Sequence, residues 1–226
     1  MRTRKNAFGL VTWLAGCGVA LLAVLAGGPA NAQTPNGTDE VREDWEVVVR
    51  ETDFDQTAPQ IVTVISPIET IEADYGVLEL NHTTQPNYVD GGIQLQRWNG
   101  DFMRNYRPPT AHDRLTIAGE RITYTMTMTI SGGNLEFGVT NGKSQTWGNF
   151  GGTSQQWRSA TESNYTDLSR YDRNVSVAKS RIGFAANMVQ SFKQKQVRYY
   201  KNGQLVKTDN TNLSVFDSGN GIAGGN

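Results

Sequence analysis

The residues best equipped for chemistry fall in the run Gly91 to Trp98. At a period of two, Ile93 and Leu95 point to one side, which sends Gln94, Gln96 and Trp98 together to the other. An indole plate beside carboxamides can stack on the C–H face of a sugar while the amides bond its hydroxyls. Trp147 and Asn149, with Trp157 nearby, lie in a Gly-rich stretch suited to a loop at the rim of such a surface. The expected ligand-binding set is therefore Gln94, Gln96, Trp98, Trp147 and Asn149. Set against it is the ordinary role of a tryptophan, which is core packing.

Other chemistries find less to work with. His82 and His112 are the only histidines, and neither stands in a metal-ligand pattern such as H-E-x-x-H, so no metal site is expected. No Gly-x-Ser-x-Gly elbow accompanies a triad, and His112-Asp113 are mere chain neighbours. Phosphate-cradling Gly-rich motifs are absent, so neither nucleotide nor any other cofactor is expected. Asp90 and Asp101 near turns have the chemistry to join carbonyls around calcium, although turn acids commonly serve the turn itself. The row Thr123, Thr125, Thr127 and Thr129 reads as one solvated strand face.

Charge and leader narrow the partners. Met1 to Lys5 is a basic head, Ala7 to Leu25 is almost wholly apolar, and Ala30-Asn31-Ala32 is a small-x-small cleavage site, so residues 1–32 read as a signal peptide. Taking the leader's three cations from 21 leaves 18 basic against 22 acidic residues, a balance that attracts neither nucleic acid nor an anionic membrane. The lone Cys17 lies in the leader, so the mature chain has no disulfide and must be held by its core. Leu14-Ala15-Gly16-Cys17 resembles a lipobox, but the apolar run continues past it, which favours cleavage over a lipid anchor. The expected location is secreted or periplasmic.

The elements that must carry these side chains are strands. In Arg121 to Ile130, the residues Ile122, Tyr124, Met126, Met128 and Ile130 share one face, and Trp45/Val47/Val49 and Leu135/Phe137/Val139 repeat the pattern. Ile61 to Ile65 suits a strand buried on both faces. Asn99-Gly100, Asn141-Gly142 and Asn202-Gly203 read as hairpin turns, the last placing Tyr200 opposite Leu205. Ser159 to Tyr171 is expected to form at most a helical turn. The chain is thus expected to be all-β, a two-sheet antiparallel sandwich of jelly-roll type spanning 43–217, after a flexible segment 33–42 and before a Gly/Asn-rich tail 218–226.

The hairpin Tyr199 to Val206, the run Val175 to Val189 before it, and Phe137 to Gly142 followed by Thr146-Trp147-Gly148 resemble concanavalin A-like and laminin G-like jelly-roll domains. The resemblance implies a concave sheet face that often binds glycans. Glycoside hydrolases of that fold class carry an E-x-D-x-(x)-E strand; Glu72-Ala73-Asp74 supplies two acids, but Gly76 or Val77 stands at the third position. Alginate-lyase-like members carry Tyr-x-x-Gly and Gln-x-His; this chain has Tyr200 to Gly203 but only Gln94-Leu95-Gln96 for the second. Arg97, Gln94, His82, His112 and Tyr200 have the chemistry such a lyase needs, with surface polarity the blander account. The leading expectation is an exported, non-catalytic protein with a glycan ligand. A polysaccharide lyase acting on a uronate polymer and a protein-binding structural component are the alternatives.

Overall fold

The computed structural model describes residues 33–50, 58–82, 92–106 and 113–220; the expected signal peptide with Cys17, Asp90, His112 and the last six residues lie outside them. In chain order the strands are β1 (Glu40–Val49), β2 (Gln60–Ile65), β3 (Asp74–Leu80), β4 (Ile93–Asn99), β5 (Phe102–Tyr106), β6 (Arg121–Ser131), β7 (Asn134–Ser144), β8 (Gly148–Phe150), β9 (Arg158–Glu162), β10 (Arg181–Phe184), β11 (Val189–Lys201), β12 (Gln204–Asp209) and β13 (Leu213–Asp217). One helix, α1 (Arg173–Lys179), precedes β10. The larger sheet runs β12-β11-β1-β6-β7-β8, with β13 on β11 and β9 on β7; the smaller runs β10-β2-β3-β4-β5. Every pairing is antiparallel, so the expected two-sheet sandwich is the fold.

The alternation read from the sequence explains the core. Trp45, Val47 and Val49 of β1, Ile122, Tyr124, Met126 and Met128 of β6 and Leu135, Phe137 and Val139 of β7 are buried from the larger sheet. They meet Ile61, Leu78, Leu80, Ile93 and Leu95 of the smaller sheet in one cluster. Each such side chain contributes about 1.5–3 kcal/mol relative to exposure, which is how a chain without described cross-links is held. Opposite Phe137 the smaller sheet carries Gly76, where a Cβ would sit 2.8 Å from the Phe137 ring.

Several local expectations are corrected. Residues 33–39 are tied down rather than loose: Thr34 and Thr38 are buried, Thr34 Oγ1 donates to the Tyr171 carbonyl at 2.7 Å, and the Leu168 N–H donates to Thr38 at 2.7 Å. Asn141-Gly142 is a bulge inside β7, where the register against β6 shifts between Thr123 and Thr125, and no hairpin forms. Packing explains the glycine, since a Cβ at Gly142 would lie 2.3 Å from the Phe150 ring. The stretch from Ser159 joins β9 on β7, and the helix begins only at Arg173, with Asp172 capping it by accepting from the Asn174 N–H at 2.8 Å. The tail starts as a single 3₁₀ turn over Ser218–Asn220. Asn99-Gly100 and Asn202-Gly203 do turn between strands, and Tyr200 pairs with Leu205 as read.

Candidate functional site

The smaller sheet turns its second face to a groove of about 500 Å³. Period two decides what lies there. On β2, Ile61, Thr63 and Ile65 go to the core side and Gln60, Val62 and Val64 to the groove; on β3, Leu78 and Leu80 go inward while Tyr75, Val77 and Glu79 go outward; on β4, Gln94, Gln96 and Trp98 face the groove. The ladder aligns these into rows. Arg181, Val62, Glu79 and Gln94 stand in one row across β10, β2, β3 and β4, and Val64, Val77 and Gln96 in the next. One end of the groove is apolar, with Tyr75 and Trp98 stacked at 6.3 Å and 15° over Val62, Val64 and Val77.

The other end is built on one carboxylate. Glu79 Oε2 accepts from Gln96 Nε2 at 2.8 Å and lies 2.6 Å from His82 Nδ1, while Gln60 Nε2 donates to Oε1. Gln96 is itself fixed on both sides: its Nε2 also donates to Gln94 Oε1 at 2.7 Å, and its Oε1 accepts from Trp98 Nε1 at 2.8 Å. The position of His82 follows from the residue before it. Asn81 takes a left-handed backbone (φ 55°), rare outside glycine, and its Nδ2 donates to the Ala58 carbonyl at 2.9 Å. That turn ends β3 and folds the imidazole back onto the carboxylate three residues earlier, while the His82 N–H still bonds the Gly92 carbonyl at 3.0 Å.

Glu79 and His82 are mostly shielded, their side chains 14% and 15% exposed. At such a depth a carboxylate must be held by donors, which the three N–H groups supply. The groove wall opposite β4 carries Lys179 and Arg181. At the apolar end the Tyr75 hydroxyl donates to the Gly100 carbonyl at 3.0 Å; burial first, and the Asp101 charge second, raise its pKa, while the Arg181 guanidinium lowers it.

Of the expected ligand-binding set, the structure brings Gln94, Gln96 and Trp98 together in this groove, but not as a sugar platform. Gln94 and Gln96 are only 4% and 6% exposed, and their bonds run to each other and to Glu79. Trp147 and Asn149 do not line it. The Trp147 ring is part of the core, its Nε1 donating to the Asp113 carbonyl at 2.6 Å, and Asn149 is exposed on β8 of the larger sheet. Trp157 packs half-buried against Phe150 at 5.9 Å. Arg97 pairs with Asp74 at 2.7 Å, and Tyr200 lies under the Arg42 guanidinium on the other sheet. Among the described residues no cluster of three or more His, Cys, Asp or Glu could hold a metal ion.

Sequence reasoning passed over Glu79 and Gln60 as site residues. The available signal was a lone carboxylate in the otherwise apolar run Val77-Leu78-Glu79-Leu80, on the side that Tyr75 and Val77 share.

No protein-family profile matches the chain, and no curated protein does. Among solved structures it is similar to scytalido-glutamic peptidase bound to a peptide-based transition-state analogue, with 13% identity, a TM-score of 0.36, and coverage of 79% of this chain and 83% of that one. A second structure of that peptidase with a transition-state analogue inhibitor gives 12% identity, a TM-score of 0.34 and coverage of 79% and 84%. The expectation of a non-catalytic carbohydrate binder is corrected on the geometry: the amides meant for sugar hydroxyls are committed to each other and, through Gln96, to the Glu79 carboxylate.

Proposed function

We propose that the groove is the active site of an acyl hydrolase in which Glu79 and His82 activate water. The observation that carries this reading is the Glu79–His82 pair set among carboxamides with no second acid: Glu79 is the one carboxylate among the described residues that line the groove. Glycoside hydrolysis needs two carboxylates flanking the bond, whereas acyl transfer to water needs one base and a donor for the developing oxyanion. An ionised carboxylate only accepts, so His82 Nδ1 carries the hydrogen toward Glu79, and in the neutral imidazole the lone pair then stands at Nε2.

In this reading His82 Nε2 takes a proton from water as the water oxygen bonds the acyl carbon. The proton passes to the leaving group as the acyl bond breaks. Glu79 holds the imidazole tautomer and stabilises its charged form. Gln60 spends one amide hydrogen on Glu79, and its second is assigned to the oxyanion. Gln96, pinned by Trp98, keeps the carboxylate in place.

The test is hydrolysis of fluorescein-labelled casein and of p-nitrophenyl acetate by the purified protein. Glu79→Gln and His82→Asn are each expected to lower kcat by about 100-fold or more with the thermal midpoint unchanged. A wild-type protein inert on both probes, or a Glu79→Gln variant as fast as wild type, would overturn the assignment.

A further inference from the structure

Two cations on the groove wall, Arg181 and Lys179, make no ion pair with a carboxylate among the described residues. Arg181 opens edge strand β10 directly across from Val62, which itself faces Glu79, so its side chain rises on the groove side about two strand spacings, roughly 10 Å, from the carboxylate. Lys179 ends α1 on the same wall. Among the described residues neither makes an ion pair or a side-chain hydrogen bond. Arg42, Arg97, Arg121, Arg170, Arg173 and Arg198 all pair with carboxylates. Arg181 and Lys179 are both exposed, so they are free to meet a ligand, and facing low-dielectric apolar walls strengthens their field.

The fixed separation makes this a rule of register as well as of affinity. An extended chain advances about 3.4 Å per residue, so a group held at Arg181 lies about three residues from a bond poised over Glu79. The single carboxylate of the lining repels an acidic group from the reacting end and the cations draw it to the other. A guanidinium fork also matches a carboxylate in two hydrogen bonds, which a neutral side chain cannot offer.

We propose, resting on the hydrolase reading, that Arg181 and Lys179 form a subsite for an acidic side chain of an extended polypeptide substrate, setting which bond lies over Glu79. The polypeptide is favoured over an acidic sugar polymer because the reading on which this rests is acyl transfer to water, and the lining lacks the second acid that hydrolysing a glycosidic bond requires.

The experiment compares two matched libraries of random decapeptides, one with Glu and the other with Gln at a single fixed position, with cut sites located by mass spectrometry. The Glu library is expected to be cut at least about tenfold faster, at a constant offset of about three residues from the Glu. Arg181→Gln and Lys179→Gln should each lower that preference by slowing cleavage of the Glu library more than that of the Gln library, and Arg181→Glu should abolish it. Both residues are exposed, so the variants fold. Equal rates on the two libraries, or a preference that survives Arg181→Gln, would overturn the subsite while leaving the hydrolase reading standing. Binding of the same peptides to Glu79→Gln protein, read by fluorescence anisotropy, separates the two claims. Charge-dependent binding without turnover by wild type sinks the hydrolase and keeps the anion site. Tighter binding of oligogalacturonate than of either peptide set overturns the polypeptide assignment.

Discussion

Two glutamates of this chain show how surroundings divide one chemistry into two roles. Glu79 sits at a groove wall, within reach of a ligand, with amide and imidazole donors arranged around it. Glu43 is fully buried on the inner side of β1, where Oε1 accepts from the Tyr171 hydroxyl at 2.6 Å and Oε2 from Trp45 Nε1 at 2.9 Å. Burial pushes the Glu43 carboxyl up to about 7 from its ordinary 4.5, against donors that favour the ionised form. The folded state therefore binds this proton more tightly than the unfolded chain. The stability that Glu43 contributes is fully present below pH 4.5 and is lost as pH rises to about 7, an effect of ~3 kcal/mol at most. Urea unfolding of wild type and Glu43→Gln across that window should show the downward slope only in wild type. Parallel curves would mean that Glu43 does not titrate there.

At the scale of elements, the candidate site depends on an edge strand that supplies neither Glu79 nor His82. A Cβ built on Gly183 of β10 lies 2.2 Å from Gln60 Oε1, so only glycine lets that carboxamide stand where it meets Glu79. The obstruction is the far end of a flexible side chain, which can swing away at little cost. Gly183→Ala is expected to leave the thermal midpoint within about 2 °C, since surface substitutions stay within about 0.5 kcal/mol. Hydrolysis should fall about tenfold or more through loss of the oxyanion donor, and Gln60→Ala should lower it equally. A Gly183→Ala protein with full activity would show that the Gln60 contact with Glu79 is dispensable. The β3 terminus works the same way: Asn81 sets the reversal that delivers His82, and its cost is met by the amide bond to Ala58.

For the whole molecule, the spacing of the two sheets is set where Phe137 of β7 lies against Gly76 of β3. Both are buried, and Tyr75 and Val77 beside Gly76 face the groove, so a forced separation there disturbs fold and site together. Gly76→Ala is expected to destabilise by about 1–3 kcal/mol through overpacking, read from the urea midpoint, and a Phe137→Leu second change should restore part of it. A neutral Gly76→Ala would mean that the sheets are not in close contact at this point. The strands themselves were legible from the chain alone: the alternation of Ile122, Tyr124, Met126 and Met128, the two-sided burial of Ile61 to Ile65 and the Asn202-Gly203 turn each reflect local period and backbone preference. So was the shared face of Gln94, Gln96 and Trp98, because strand pleat decides it without reference to any neighbour. Which strands lie side by side was not legible, and it is this that sets Glu79 of β3 between Gln60 of β2 and Gln96 of β4 and leaves Arg181 of β10 across the groove. Strand order and register arise from the packing of distant segments against one another, and that long-range energy has no local signature. The sequence by itself determined an all-β chain and the faces of its strands; only the tertiary structure decided that the amides surround a carboxylate.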